Sequence, residues 1–185
     1  MSPATANPLA DIRLLVTGGT IDKSYSPVEG ALGFSRTHVL AMLQQARVGL
    51  PDAQVQTLLL KDSLDLTPAD RDTICQAAAA AVENHLLITH GTDTMVETAQ
   101  RLAQEQLAKT VVFVGALVPY AFGNSDGLFN LGLAFGAVQL LPPGVYVAMN
   151  GRIFPWHSVR KNKALGMFES TPNSHPNLAS QKHPS

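Results

Sequence analysis

The sequence has little of three features that often decide the class of a protein: cysteine, charge and long apolar runs. Its 185 residues include one cysteine, Cys75, which excludes an internal disulfide. Charged residues make up 15% of the chain and the formal net charge is −1, without a basic stripe, so nucleic acid is not expected as a partner. No stretch reaches the roughly 18 apolar residues of a membrane span, so no membrane partner is expected either.

Two kinds of functional segment are also missing. The six histidines form no pair at metal-ligand spacing, so a metal site is not expected. Residues 1–11 lack the positive start and apolar run of a secretory signal, which predicts a cytoplasmic protein. Cys75 lies in an alanine-rich helical pattern and is expected to be a small buried residue rather than a nucleophile. With 45% hydrophobic residues, the chain can nevertheless build a substantial core.

What the chain does contain is a regular alternation of strand and helix patterns. Continuous apolar, β-branched runs predict five strands covered on both faces, at residues 12–17, 55–60, 86–89, 111–115 and 145–149. Helical patterns lie between them, at residues 35–47, 67–83, 94–107 and 126–140. In the second of these, Thr67 is a suitable N-cap and Pro68 a suitable first helical residue.

This order of elements predicts an α/β fold, a doubly wound, mainly parallel sheet with helices on both faces. We expect one domain over residues 11–168, and flexible tails at residues 1–10 and 169–185. The carboxyl ends of parallel strands share one rim of a sheet, and ligands bind beyond that rim. The polar segments that follow the five predicted strands should therefore converge on one site.

Hydroxyl groups dominate these segments, and they need help to act as nucleophiles. A threonine hydroxyl requires a base and a set of N–H donors for the developing oxyanion. Lys161, Tyr25 and His90 are candidate bases. The backbone N–H groups of Gly91 and Thr92, at the predicted start of a helix, are candidate donors.

Two segments resemble the signature motifs of the bacterial-type L-asparaginases: Thr-Gly-Gly-Thr-Ile at 17–21 and Ile-Thr-His-Gly-Thr-Asp-Thr-Met at 88–95. Shorter pieces similar to that family follow in the same order at residues 62–65, 114–116, 126–130 and 147–150. The resemblance covers about residues 12–165. It implies hydrolysis of the side-chain amide of L-asparagine through a threonine acyl-enzyme, without a metal or other cofactor.

The resemblance also implies catalytic roles for five residues. Thr20 matches the nucleophilic threonine, and Tyr25 resembles the loop tyrosine that activates it. Thr92, Asp93 and Lys161 match a second threonine, an acid and a lysine that relay a proton.

Substrate binding is implied in the same way. Ser63 matches the serine that holds the substrate carboxylate, and Asp93 would also hold the α-ammonium group. Gly91 and Thr92 lie in the motif that would contact the reacting end.

The sequence departs from the family pattern in three respects. Relatives usually carry a second, smaller domain that lends an acidic residue to a neighbouring subunit, and this sequence ends where that domain would begin, so we expect a compact form and a homodimer. The loop at residues 22–34 is short, and Leu64 stands where many relatives have a polar residue.

Simpler interpretations stay open at several positions. Residues 17–20 alone could form a plain turn, Ser63 could be a turn residue, and Thr92 could be a helix cap. Tyr25 could be an exposed loop aromatic, and His90 could be structural. The basic segment at residues 160–163 also allows Arg160 or Lys163 in place of Lys161. For the whole protein, the alternative is a non-catalytic sensor that binds aspartate, asparagine or another anion.

Overall fold

A computed structural model describes residues 9–171. Its strands are β1 (Ile12–Gly18), β2 (Ser24–Ser26), β3 (Ala31–Gly33), β4 (Val55–Lys61), β5 (His85–Thr89), β6 (Thr110–Val114), β7 (Gly144–Met149), β8 (Arg152–Pro155), β9 (Val159–Asn162) and β10 (Met167–Ser170). Its helices are α1 (Val39–Gln45), α2 (Pro68–Ala80), α3 (Met95–Ala103) and α4 (Gly127–Leu140). Within the described residues, no helix is long and apolar enough to cross a membrane.

The central sheet has the strand order β4-β1-β5-β6-β7-β8. The first five strands are parallel and β8 runs antiparallel to β7 at the edge. The strand order reverses at β1, because β4 lies on one side of β1 and β5 on the other. In open α/β sheets, ligands bind at such a switch point, beyond the carboxyl ends of the strands. The two segments that carry the sequence motifs follow β1 and β5, the two strands on either side of this point.

Helices cover both faces of the sheet, so the predicted fold class is confirmed. On one face, α1 and α4 bury residues such as Met42 and Leu131 against β1 and β6. On the other face, α2 and α3 bury Ile74 and Met95 against β5 and β6. Cys75, expected to be buried, belongs to this second core. The strands are apolar on both sides because both sides are covered.

Local signals set the ends of α2. Thr67 and Asp70 form a reciprocal capping box, and Pro68 is the first helical residue, as the sequence predicts. The helix ends at Ala80, three residues before the predicted end. There the Lys109 ammonium donates to the carbonyl of Ala78 at 3.1 Å and also to that of Ala81. A cation bonded to the last carbonyls of a helix complements its dipole.

The main differences from the predicted elements occur in short segments. Helix α1 begins at Val39 rather than at residue 35, because a buried carboxylate binds residues 37 and 38. The pairs β2–β3 and β9–β10, and strand β8, were not predicted, since strands of three or four residues carry too few side chains for a pattern.

The predicted tails need correction at both ends. Glu169 and Ser170 complete strand β10 instead of lying in a flexible tail, because they pair with β9 and because Glu169 binds Arg160. The carbonyl groups of Leu9 and Ala10 accept hydrogen bonds from the side chain of Gln54. The remaining parts of the predicted tails, residues 1–8 and 172–185, lie outside the described residues, and the domain bounds of 11–168 stay a prediction.

Candidate active site at the carboxyl edge of the sheet

The backbone of the turn after β1 packs directly against the backbone of the loop after β5. Gly18 and Gly19 have φ angles of +92° and +81°, which favour glycine. A Cβ atom on Gly19 would lie 2.3 Å from the backbone nitrogen of Gly91. Gly19 also donates its N–H to the carbonyl of Lys61 at 2.9 Å, so β4 is tied to the same turn. Residues without side chains thus bring three strand ends together.

Thr20 is the first residue of the short 3-10 turn that follows these glycines. Its side chain is half-buried, and its hydroxyl makes no hydrogen bond with any residue between 9 and 171. The residue follows directly from Gly19, which touches the Gly91 loop. Thr20 therefore lies where the two motifs meet, and its hydroxyl has no hydrogen-bond partner among the described residues.

Ser63 lies on the other side of Gly91, at the start of the 3-10 turn after β4. A Cβ atom on Gly91 would lie 2.6 Å from the Ser63 hydroxyl oxygen, so only glycine fits between them. The serine is 1% exposed, and its Oγ has no hydrogen-bond partner among the described residues. A buried hydroxyl without a partner is costly in a folded chain, and a ligand could satisfy it.

Lys161 connects the two polar side chains that follow Gly91. Its Nζ donates to Thr92 Oγ1 at 2.7 Å and to Asp93 Oδ1 at 3.0 Å. Thr92 is 4% exposed, and the Lys161 side chain is 15% exposed. Because Thr92 accepts a hydrogen bond from the lysine, its own hydroxyl hydrogen can point elsewhere. The three residues therefore form a connected hydrogen-bond network just before α3.

The structure also separates Lys161 from the other basic residues of its segment. Lys161 lies on β9, opposite Phe168 of β10. Arg160 points to the other side of the strand and pairs with Glu169. The ammonium of Lys163 is 4.0 Å from Asp93, and its side chain is 74% exposed. Of the three candidates, Lys161 alone combines burial with contact to both Thr92 and Asp93.

His90 is fully buried beneath the motif. Its Nδ1 lies 2.8 Å from the carbonyl oxygen of Gly91, which can only accept, so Nδ1 carries the hydrogen. Burial lowers the pKa of His90 to about 4, although the bond to Gly91 opposes this. A neutral, buried imidazole that holds the Gly91 carbonyl fits the structural interpretation of His90, not that of a base.

Tyr25 lies on the β2–β3 hairpin that begins just after the turn of Thr20. Its backbone pairs with Leu32, and its side chain is 59% exposed. The hydroxyl makes no hydrogen bond within the described part of the chain. The structure thus places Tyr25 on a surface hairpin that follows the turn of Thr20, without a hydrogen bond to Thr20.

Asp22 is the residue of this site that sequence analysis missed. It is fully buried, two residues after Thr20, and its Oδ1 accepts hydrogen bonds from His38 N at 2.7 Å and Thr37 Oγ1 at 3.0 Å. Burial raises the pKa of Asp22 to about 6, although these two donors lower it. No sequence pattern announces this residue, because its partners lie 15 and 16 positions further along the chain.

Replacing Asp22 by asparagine should therefore change the pH dependence of stability. Between about pH 4 and pH 6 the folded carboxyl keeps a proton that the unfolded chain has released, so wild-type stability falls as pH rises through this window. The raised pKa corresponds to at most about 3 kcal/mol at neutral pH. The variant keeps an acceptor for Thr37 and His38 without the buried charge, although its amide hydrogens offset part of the gain.

Urea unfolding of both proteins at pH 4 and pH 7.5 tests this prediction. We expect the Asp22→Asn variant to gain stability relative to the wild type at pH 7.5, and to lose most of that gain at pH 4. An equal difference at the two pH values would contradict the assignment of a raised pKa to Asp22.

Two further acidic residues shape the rim. Asp62 forms an ion pair with Lys23. Burial raises the pKa of Asp62, but the hydrogen bonds from Lys23 and Leu64 N outweigh burial, so the pKa lies below its ordinary value. Asp126 accepts hydrogen bonds from the backbone N–H groups of Leu117 and Val118, and so fixes the loop after β6. Both carboxylates therefore hold the conformation of the loops that surround the candidate site.

No group of three or more metal-ligating side chains that could hold a metal ion occurs among residues 9–171. The polar side chains of the candidate site are hydroxyls, one ammonium and carboxylates bound to donors. This donor set suits acyl transfer by a hydroxyl nucleophile with a proton relay.

Comparison with known proteins finds similar chains that are longer than this one. The model of the family described as Asparaginase, N-terminal, matches residues 11–183. L-asparaginase 1 of Escherichia coli strain K12 is 32% identical over 184 residues, an alignment that covers 93% of this chain and 54% of that protein.

Solved structures agree with the fold. The thermostable L-asparaginase from Thermococcus kodakarensis superposes with a TM-score of 0.74 at 30% identity, over 86% of this chain and 50% of that one. A probable cytoplasmic L-asparaginase from Campylobacter jejuni gives a TM-score of 0.73 at 28% identity, over 86% and 52% of the two chains. The chain spans about half the length of these relatives.

Proposed function

The chain belongs to the asparaginase family, and we propose on that basis that it hydrolyses the side-chain amide of L-asparagine to L-aspartate and ammonia. One observation carries the proposal to the level of residues. The Lys161 ammonium contacts both Thr92 and Asp93. The backbone of the loop that carries these two residues packs directly against the turn that ends in Thr20. A hydroxyl and a proton path thus stand next to each other at the switch point of the sheet.

In the proposed reaction, Thr20 Oγ1 attacks the side-chain carbonyl carbon of asparagine. Tyr25, acting as a phenolate, takes up the proton of that hydroxyl, and the backbone N–H groups around Gly91 and Thr92 stabilise the developing oxyanion. The bond between this carbon and the amide nitrogen then breaks. The nitrogen receives a proton through Thr92 and Lys161 and leaves as ammonia, while an ester joins Thr20 to the aspartyl group. Water attacks the ester and gives a proton back to the relay of Thr92 and Lys161. Tyr25 returns its proton to Thr20 Oγ1, aspartate leaves, and each group regains its starting state.

Two residues would hold the amino-acid end of the substrate. The buried hydroxyl of Ser63, which has no partner among the described residues, would donate to the α-carboxylate. Asp93 binds Lys161 through Oδ1 alone, so its second oxygen is available for the α-ammonium group. Support for these roles is the position of both side chains on either side of Gly91 and Thr92.

Release of ammonia from L-asparagine, L-glutamine and D-asparagine tests the proposal. We expect turnover of L-asparagine and slower or no turnover of L-glutamine, since one extra methylene in a pocket is worth about 1–3 kcal/mol. The Thr20→Ala variant supplies the background rate. Stabilisation by aspartate without ammonia from any substrate would contradict hydrolysis and favour the sensor module instead.

Location and assembly remain predictions. We propose a cytoplasmic protein, which is supported by the similarity to a probable cytoplasmic L-asparaginase. The homodimer rests on the family resemblance.

A further inference from the structure

The strongest unassigned feature is the pair of hydrogen bonds made by Asp22. This carboxylate lies in the turn of Thr20, and its two donors, Thr37 Oγ1 and His38 N, lie just before α1. The Thr37 hydroxyl also accepts from Val39 N at 3.1 Å, so the carboxylate is linked to the first residue of the helix. Asp22 thus joins the catalytic turn to the start of α1.

The chain between these two points is the β2–β3 hairpin. Residues 23–36 begin directly after Asp22 and end directly before Thr37. The contacts of Asp22 therefore close the base of the hairpin, while its outer part is exposed, with Val28 at 96%. Lys23 makes a second contact at the base through its ion pair with Asp62. The position of Tyr25 depends on this base, because its strand begins two residues after Asp22.

Burial of the Asp22 carboxylate lowers the stability of the fold, which indicates that this residue has a role other than stabilisation. Its second oxygen, Oδ2, is buried and has no hydrogen-bond partner among the described residues. A half-satisfied buried carboxylate lowers stability relative to a well-packed neutral side chain. Strained or costly groups of this kind cluster at functional sites, where the geometry that they impose is used.

We propose that Asp22 is a positioning residue that closes the base of the β2–β3 hairpin and thereby anchors the segment from which Tyr25 would reach Thr20. The inference rests on the proposed function, since it assigns Tyr25 to the activation of Thr20. Asp22 touches neither substrate nor the reacting atoms; it acts through the hairpin. Loss of its carboxylate should slow the chemical step and leave substrate binding by Ser63 and Asp93 in place.

Steady-state kinetics on four variants test this. Tyr25→Phe should lower kcat about 100-fold, within the range for a general base. Asp22→Ala should lower kcat about 10- to 100-fold and change KM by less than about 3-fold. Asp22→Asn, which keeps an acceptor for Thr37 and His38, should retain at least about a third of kcat. The double variant Asp22→Ala/Tyr25→Phe should be about as slow as Tyr25→Phe, because both substitutions remove the same contribution, the activation of Thr20 by Tyr25.

Additive losses in the double variant, or an unchanged kcat in Asp22→Ala, would overturn the inference. If Asp22→Ala does not fold, the pair Thr37→Val and Thr37→Ser replaces it. The valine removes the hydroxyl donor and should lower kcat, whereas the serine keeps it and should not. Equal kcat values for the two Thr37 variants would also overturn the inference.

Limited trypsin digestion gives a readout that does not need activity. Arg36 is exposed and directly precedes Thr37, so a loosened base should speed cleavage after Arg36. We expect faster cleavage in Asp22→Ala than in the wild type and Asp22→Asn, and an equal rate in all three would contradict the inference. A wild type without ammonia release would refute the proposed function, whereas an active wild type with an unaffected Asp22→Ala variant would refute only the role of Asp22.

Discussion

Replacement of Thr20 by alanine should lower kcat for L-asparagine by about 10⁴-fold or more, because it removes the oxygen that forms the acyl-enzyme. The Thr20 hydroxyl has no hydrogen-bond partner among the described residues, so its loss should cost no more than about 1 kcal/mol of the free energy of unfolding. Binding of L-aspartate should persist, since Ser63 and Asp93 remain. The measurements are ammonia release under saturating substrate, urea unfolding and the shift in Tm on addition of L-aspartate.

A threonine in the same motif provides the matched control. Thr17 is buried, and its hydroxyl donates to the carbonyl of Thr89 at 2.7 Å. Thr17→Val should therefore lower the free energy of unfolding by about 1–3 kcal/mol and leave kcat within about 10-fold of the wild type. Equal kcat losses in the Thr17 and Thr20 variants would mean that the turn matters only for folding. A Thr20→Ala variant with wild-type kcat would place the nucleophile elsewhere, with Thr92 as the next hydroxyl to test.

Replacement of Lys161 by methionine should lower kcat by about 10²- to 10⁴-fold, the range for a residue that moves a proton in the transition state. Methionine has a similar length but cannot donate to Thr92 or Asp93. The proton path to the leaving nitrogen is then broken, and Thr92 loses the donor that orients its hydroxyl. KM should change less than kcat, provided that Asp93 still binds the α-ammonium group.

The neighbouring basic residues serve as controls for Lys161. Lys163→Met removes a charge 4.0 Å from Asp93 with an exposed side chain, so it should change kcat by less than about 5-fold. Arg160→Met removes an exposed pair with Glu169 and should likewise have a small effect. A larger loss in either control than in Lys161→Met would show that the proton relay uses a different residue of this segment.

The sequence predicted the frame of the molecule because the signals for that frame are local. Each predicted parallel strand agrees with an observed one to within one residue at either end, since continuous apolar runs such as residues 86–89 can only be buried on both faces. The start of α2 was predicted from Thr67, Pro68 and Asp70, which act within one turn. Helix α1 was predicted too long, because Asp22 binds residues 37 and 38 from a distant turn.

The candidate site likewise has a part that the sequence predicts and a part that it leaves open. The sequence by itself determined which chemical groups occur at the strand ends, namely the hydroxyls of Thr20 and Thr92, the carboxylate of Asp93 and a nearby basic segment. It left open which basic residue takes part, and only the pairing of β9 with β10 decided that Lys161 faces inward.

The tertiary structure alone decided the contacts that complete the site. Gly19 lies against Gly91, Lys161 binds Thr92 across 69 positions of the chain, and Asp22 closes the base of the hairpin. The physical reason is that apolar runs and helix caps act between neighbours in sequence, whereas the orientation of a polar side chain depends on whatever the folded sheet places opposite it.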